Sequence, residues 1–160
     1  MQYKHIRLGI KVTDSITGLT GTLSHLNMGV DRLAIYCFRP LGIIEETGCL
    51  KQSFWIVTDR IVSGKETLSD LPLDAIRSKV TNKNSGATGI VVSLTLHVNG
   101  CIHLEFQPKG SLKNGEKLPS HDDDMRELEG PAIPKLTQKA KDKSKVSSPS
   151  PSPMAARPRS

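Results

Sequence analysis

The chain carries one pattern twice, and no other feature constrains its fold as strongly. Lys11-Val12-Thr13 recurs 68 positions later as Lys79-Val80-Thr81, and at that offset Gly18, Thr20 and Gly21 fall on Gly86, Thr88 and Gly89 without a gap. Leu26, Val30, Phe38, Pro40 and Gly42 then fall on Leu94, Val98, Phe106, Pro108 and Gly110, giving 11 identities between Lys11 and Gly42. Beyond them a single deletion aligns 54–62 weakly with 121–130. A period of this length marks a structural unit used twice, so the fold question reduces to one small unit and the way two of them meet.

Each unit reads as all-β. The first offers short apolar or β-branched runs at 11–14, 21–29, 33–39, 53–58 and 60–62, with a Gly-marked turn through Gly18. The second offers 79–81, 89–98 and 102–107, then a poorer ending through 122–129. Short strands at close spacing indicate a small barrel or sandwich, and five of them in so few residues suit an SH3-like barrel best. The expected architecture is therefore two tandem small SH3-like β-barrels, 1–64 and 78–130. Residues 65–77 are read as a linker in which Pro72 allows one helical turn at most. Residues 131–160 hold six of the ten prolines beside alternating lysines and are expected to be a disordered tail, because they offer too little apolar surface to fold.

The second copy's central hairpin can be registered from its side chains. A three-residue loop, Val98-Asn99-Gly100, with Gly100 left-handed in a bulge, pairs Leu96 with Ile102, Leu94 with Leu104 and Val92 with Phe106. One face is then wholly apolar, whereas a two-residue turn would mix Leu94 and Leu96 with His103 and Glu105. The other face carries Ser93, Thr95, His97, Cys101, His103 and Glu105. Transferred to the first copy, the register puts Leu26, Met28, Ala34, Tyr36 and Phe38 inside. It puts His25, Asn27, Leu33, Ile35 and Cys37 outside, so the first copy's outer face is apolar where the second's is polar. Arg32 stands where Gly100 stands, which suggests a different first turn.

Charge sits in one place. Residues 131–160 hold seven basic side chains against one acid, while the preceding 130 residues hold 15 of each sign. If nucleic acid binds, the tail would hold it through Lys135, Lys139, Lys141, Lys143, Lys145, Arg157 and Arg159. Aromatic residues make up only 4%, too few for a base-stacking platform. No signal-peptide pattern or membrane-length apolar run is present, and Cys37, Cys49 and Cys101 form no C-x-x-C. The expected setting is the cytoplasm, with reduced thiols and no membrane contact.

The chemical motifs are weak. His97, Cys101 and His103 share one face and have metal-ligand chemistry, but the first copy keeps none of them, so a solvated strand face is the preferred reading. Asp122, Asp123 and Asp124 alternate along a strand and do not converge without a turn. The stretch from Gly110 to Lys117 lacks the Gly-Lys-Ser/Thr order of a phosphate loop. No catalytic residue and no cofactor are assigned. Gly18, Gly21, Gly86 and Gly89 are read as positions needing positive φ, and Thr20 and Thr88 beside them as candidate binding residues, since loops at this place on small barrels often form binding surfaces. Leu33, Ile35 and Cys37, the apolar outer strip of copy one, are the other candidate binding residues.

Ser85 to Val92, then Val98 to Pro108, resemble small proteins common in bacteriophage genomes, which carry a T-G-F-x-G-x-V turn, a Y-L-x-G-C hairpin and a Q-P ending. Thr17-Gly18-Leu19-Thr20-Gly21 is similar. Leu19 and Ala87 replace the family's aromatic residue, and its acidic W-F-D-E segment survives only as 121–124. The resemblance implies a phage or prophage origin and no set activity. The function expected is a phage-encoded, non-enzymatic binding protein that engages a host or phage protein in the host cytoplasm, inhibition of a host defence being one form of this. Each barrel is near the lower size limit for stability, so pairing between copies or a homo-oligomer is expected. The alternatives are a nucleic-acid accessory protein anchored by its tail, and a sponge for a small anionic nucleotide held between the barrels.

Overall fold

The computed structural model describes residues 1–135, and the chain there is all-β, with twelve strands and three single-turn 3-10 helices. β1 (Gln2–Ile6) precedes the first copy, which supplies β2 (Lys11–Asp14), β3 (Thr20–Gly29), β4 (Ala34–Pro40), β5 (Phe54–Val57) and β6 (Ile61–Val62). β7 (Glu66–Asp70) follows, and the second copy supplies β8 (Lys79–Asn82), β9 (Thr88–His97), β10 (Ile102–Pro108), β11 (His121–Asp124) and β12 (Leu128–Glu129). Each copy is an antiparallel meander, ordered β6-β2-β3-β4-β5 in one and β12-β8-β9-β10-β11 in the other. The 3-10 turns Thr58–Arg60 and Met125–Glu127 swing each fourth strand back toward the first. No closed barrel forms among the described residues; both meanders are part of one ten-stranded sheet.

That sheet exists because the copies join edge to edge. The start of β3 pairs with β2, but His25–Gly29 pairs antiparallel with His97–Ser93 of β9. Asn27 lies opposite Thr95, its own repeat equivalent, so a pseudo-two-fold axis passes between them, and Asn27 Nδ2 donates to Thr95 Oγ1 at 2.9 Å. A bulge makes the dual pairing possible. The register shifts between Leu23 and His25, and between Glu105 and Phe106, leaving the equivalent residues Ser24 and Val92 unpaired and bending each long strand.

The hairpin registers are as the side chains require up to the bulge: Leu96 faces Ile102, Leu94 faces Leu104, Leu26 faces Tyr36 and Met28 faces Ala34. Beyond it Phe106 pairs with Val91, not Val92, because the extra residue moves the strand on by one. The two turns are the same. Arg32 adopts φ 59° where Gly100 has φ 85°, and each donates its N–H three residues back, to the carbonyls of Gly29 and His97. Gly18 and Gly86 do have positive φ, at 70° and 73°. Gly21 and Gly89 are needed for another reason: a Cβ there would lie 2.2 Å from the Arg39 carbonyl oxygen and 2.5 Å from that of Gln107.

One core serves both copies. Leu23, Leu26, Met28, Tyr36, Phe38 and Ile56 pack in the same cluster as Val91, Leu94, Leu96, Leu104 and Phe106. Full burial of such side chains contributes about 1.5–3 kcal/mol each. Residues 65–77 do more than link: β7 pairs with β1, and Leu71, Leu73, Ala75 and Ile76 join the core around a single 3-10 turn. Ala132 and Ile133, placed in the tail by sequence, pack against the same core. The tail cations Lys139, Lys141, Lys143, Lys145, Arg157 and Arg159 lie outside the described residues. Among the described residues no helix is long and apolar enough to cross a membrane.

Candidate functional site

Because alternate strand residues face opposite ways, the side of the sheet away from the core is set by the register. Across β5-β4-β3-β9-β10-β11 one row runs Trp55, Cys37, His25, His97. The next runs Val57, Ile35, Asn27, Thr95, His103, Asp124. A third brings Ser93, Glu105 and Asp122 together. The pseudo-axis at Asn27 and Thr95 thus divides this face into an apolar half from copy one and a polar, acidic half from copy two.

The expected residues divide accordingly. Leu33 is 67% exposed and Ile35 half-buried, but Cys37 is buried between β3 and β5. Sequence reasoning missed Trp55 and Val57, each 48% exposed, which stand beside Cys37 and Ile35 and widen the strip. Their signal was the offset of 67 beyond the deletion, which equates Trp55 and Val57 with Asp122 and Asp124. Thr20 and Thr88 are spent locally: their hydroxyls lie 3.5 Å and 2.9 Å from those of Thr13 and Thr81 across the first hairpin of each copy. The same contrast continues in the β4–β5 hairpin, where Ile43 bridges Leu50 and both are exposed, while the second copy's bridge joins Ser111 to Lys117.

Histidines line the centre. The His25 ring lies 5.1 Å from Trp55, edge to face, and 5.3 Å from His97, which lies 4.7 Å from His103. His103 Nδ1 approaches Asp122 Oδ2 at 3.8 Å. Burial, then the neighbouring His97 and Arg39, hold His25 below the ordinary imidazole range. Burial and His103 do the same to His97, against an opposing pull from Asp122. The metal set His97, Cys101 and His103 does not assemble, and Cys101 Sγ instead accepts from Arg126 Nη2 at 3.9 Å. Among the described residues no three His, Cys, Asp or Glu side chains converge as metal ligands. Arg126 also clamps Asp124, whose carboxyl is lowered to about 2 by that contact.

A second polar cluster is structural. Asp14 is fully buried and accepts from Arg60 Nε at 2.8 Å and Nη2 at 2.6 Å, and from Thr17 Oγ1 at 2.6 Å, which holds its carboxyl far below the usual range. In copy two Asn82 caps the equivalent loop and donates to Asp123 at 2.7 Å. Two concavities of about 320 and 300 Å3 are present, one lined by second-copy residues such as Lys83, Met125 and Arg126 together with Ile133, Pro134 and Lys135, the other by second-copy residues including Asn99, Cys101 and Arg126. They do not lie between the copies, where the nucleotide alternative would place its ligand. Compared with known protein families, curated proteins and solved structures, the chain matches none.

Proposed function

We propose that this chain is a non-enzymatic binding protein that seats a partner protein on the outward face of its first copy. The observation that carries the reading is asymmetry within a near-symmetric body. Among the described residues, ten of the fourteen exposed large hydrophobic side chains lie between Ile16 and Val62, and only two, Val98 and Leu112, lie in the second copy. An apolar strip built from Leu33, Ile35, Trp55 and Val57, with Ile43 and Leu50 also exposed at the end of the same hairpin, is the kind of surface that marks protein contact.

Five short antiparallel strands in each copy, the last returned to the first by a 3-10 turn, support kinship with SH3-like barrels. That likeness is one of architecture and assigns no ligand. The resemblance of the two turns to bacteriophage proteins supports a phage or host protein as the partner. The described residues outside the tail are charge-balanced, which favours a protein surface over phosphate backbone as the ligand.

The test compares wild type with Leu33→Lys plus Ile35→Lys in capture from infected or expressing cells. A partner held by wild type and lost by the folded variant, then reproduced with purified components, supports the reading. Equal capture by both overturns it.

A further inference from the structure

We propose that two copies of this chain join through β5, the strand of one pairing antiparallel with β5 of the other about a two-fold axis. The six-stranded layer β5-β4-β3-β9-β10-β11 has two outer edges that are equivalent in the repeat, so the molecule contains its own control. At β11 the edge reads His-Asp-Asp-Asp, and charge of this kind blunts a strand against further pairing. At β5 the edge reads Phe-Trp-Ile-Val, with no charge and no proline. Among the described residues β4 is its only ladder partner, and Val57 at its end leads into the 3-10 turn Thr58–Arg60. In an antiparallel ladder alternate residues turn both N–H and C=O the same way, so half of this strand presents donors and acceptors outward.

The occupant is a second copy for three reasons. The chain already associates in this manner, since β3 and β9 pair antiparallel around the axis at Asn27 and Thr95. An uncharged edge set against itself brings no like charges together, whereas β11 against β11 would oppose aspartates. Pairing β5 with β11 of another molecule would be head-to-tail and would set Trp55 and Val57 against carboxylates, while β5 with β5 closes on itself. The Ile43–Leu50 bridge beside the edge, with side chains 53% and 79% exposed, adds apolar surface to the short strand. The resulting dimer would place the two apolar strips side by side, and it requires no partner to be present.

Solution mass measured across a concentration series tests the proposal. Wild type is expected to rise from 17.4 kDa toward twice that mass. Trp55→Asp with Val57→Asp, which transplants the acidic edge of β11, is expected to stay at the single-chain mass. Amide exchange of 54–57 in the wild type should slow as concentration rises, a readout that needs no variant. A wild type that stays monomeric at millimolar concentration, protection that arises elsewhere, or a folded double variant that still dimerises overturns it. Leu33→Lys with Ile35→Lys lies off the edge and should leave the mass unchanged, so loss of the dimer and loss of the partner are separable.

Discussion

Replacing Arg60 with Met tests how much of the first copy rests on its buried ion pair. The substitution keeps the apolar stem and removes both hydrogen bonds, of 2.8 and 2.6 Å, that the guanidinium gives Asp14. It also removes the cation that lies 5.8 Å from the Phe54 ring centre. Breaking a buried pair by deleting one partner costs about 3–5 kcal/mol, against about 0–1 kcal/mol for an exposed pair. Asp14 is fully buried and the Arg60 side chain is 25% exposed, which puts the loss near the lower end, about 3 kcal/mol at pH 7. Thr17 and the backbone at Ile16 still donate to the carboxylate, so the loop is weakened and not abolished. The pH dependence identifies the cause. Arg60 holds the Asp14 carboxyl below its unfolded value, so its contribution is complete above that value and is lost as pH falls through the folded one. With an unfolded value of about 3.9, the gap between wild type and variant should narrow by about 1 kcal/mol on going from pH 7 to pH 3. Urea unfolding at both pH values measures it. A loss below about 1 kcal/mol, or one identical at the two pH values, would show that the pair is not what holds the loop.

Three further outcomes are expected. Gly21→Ala and Gly89→Ala should each cost about 2–3 kcal/mol in denaturant unfolding, because the new methyl meets a carbonyl oxygen, while Gly18→Ala, in open space at φ 70°, should cost about 1 kcal/mol. Arg32→Gly should raise stability by about 0.5 kcal/mol by relieving a left-handed non-glycine residue, and a loss instead would mean that the arginine side chain contributes to the turn. Burial, then His97 and Arg39, lower the His25 value, and burial, then His103, lower that of His97 against Asp122, so their contribution is complete above about pH 6.5 and declines as pH falls through their lowered folded values. A thermal melt series from pH 8 to pH 5 should show that decline, and His25→Gln with His97→Gln should flatten it.

What the sequence disclosed was local and periodic. The repeat, the strand pairs and the three-residue turn follow from alternation within one hairpin, and Leu94 against Leu104 needs nothing beyond it. What escaped depends on distant segments or on a single inserted residue. Val92 looks like a core residue by alternation, and only the bulge moves Val91 into its place. Arg32 argued for a different turn, yet the cost of left-handed backbone, about 1–2 kcal/mol, is small enough for the rest of the hairpin to impose it. β7 reads as linker because Glu66, Ser69 and Asp70 are poor strand formers, and its pairing with β1 is a contact across sixty or more residues. The candidate strip was half legible. Leu33 and Ile35 follow from the transferred register, whereas Cys37 is flanked on its two neighbouring strands by the His25 and Trp55 rings, which meet at 5.1 Å, a contact that one hairpin's alternation does not show.

The two copies also show which positions the fold itself requires. Buried pairs keep their character: Val12 and Val80, Leu26 and Leu94, and Phe38 and Phe106 are identical, and Met28 is matched by Leu96. Outward pairs do not. Leu33, Ile35, Trp55, Val57 and Ile43 stand where copy two has Cys101, His103, Asp122, Asp124 and Ser111. Since copy two forms the same meander with polar groups at these places, hydrophobic side chains are not needed there for strand pairing or for the core. Leaving them in water forgoes about 25 cal/mol for every Å2 of apolar surface and invites unwanted association. Their presence on one copy alone is what the proposed partner contact and the proposed dimer would each use, and the β5 edge, open among the described residues, and the strip beside it are the two surfaces to test.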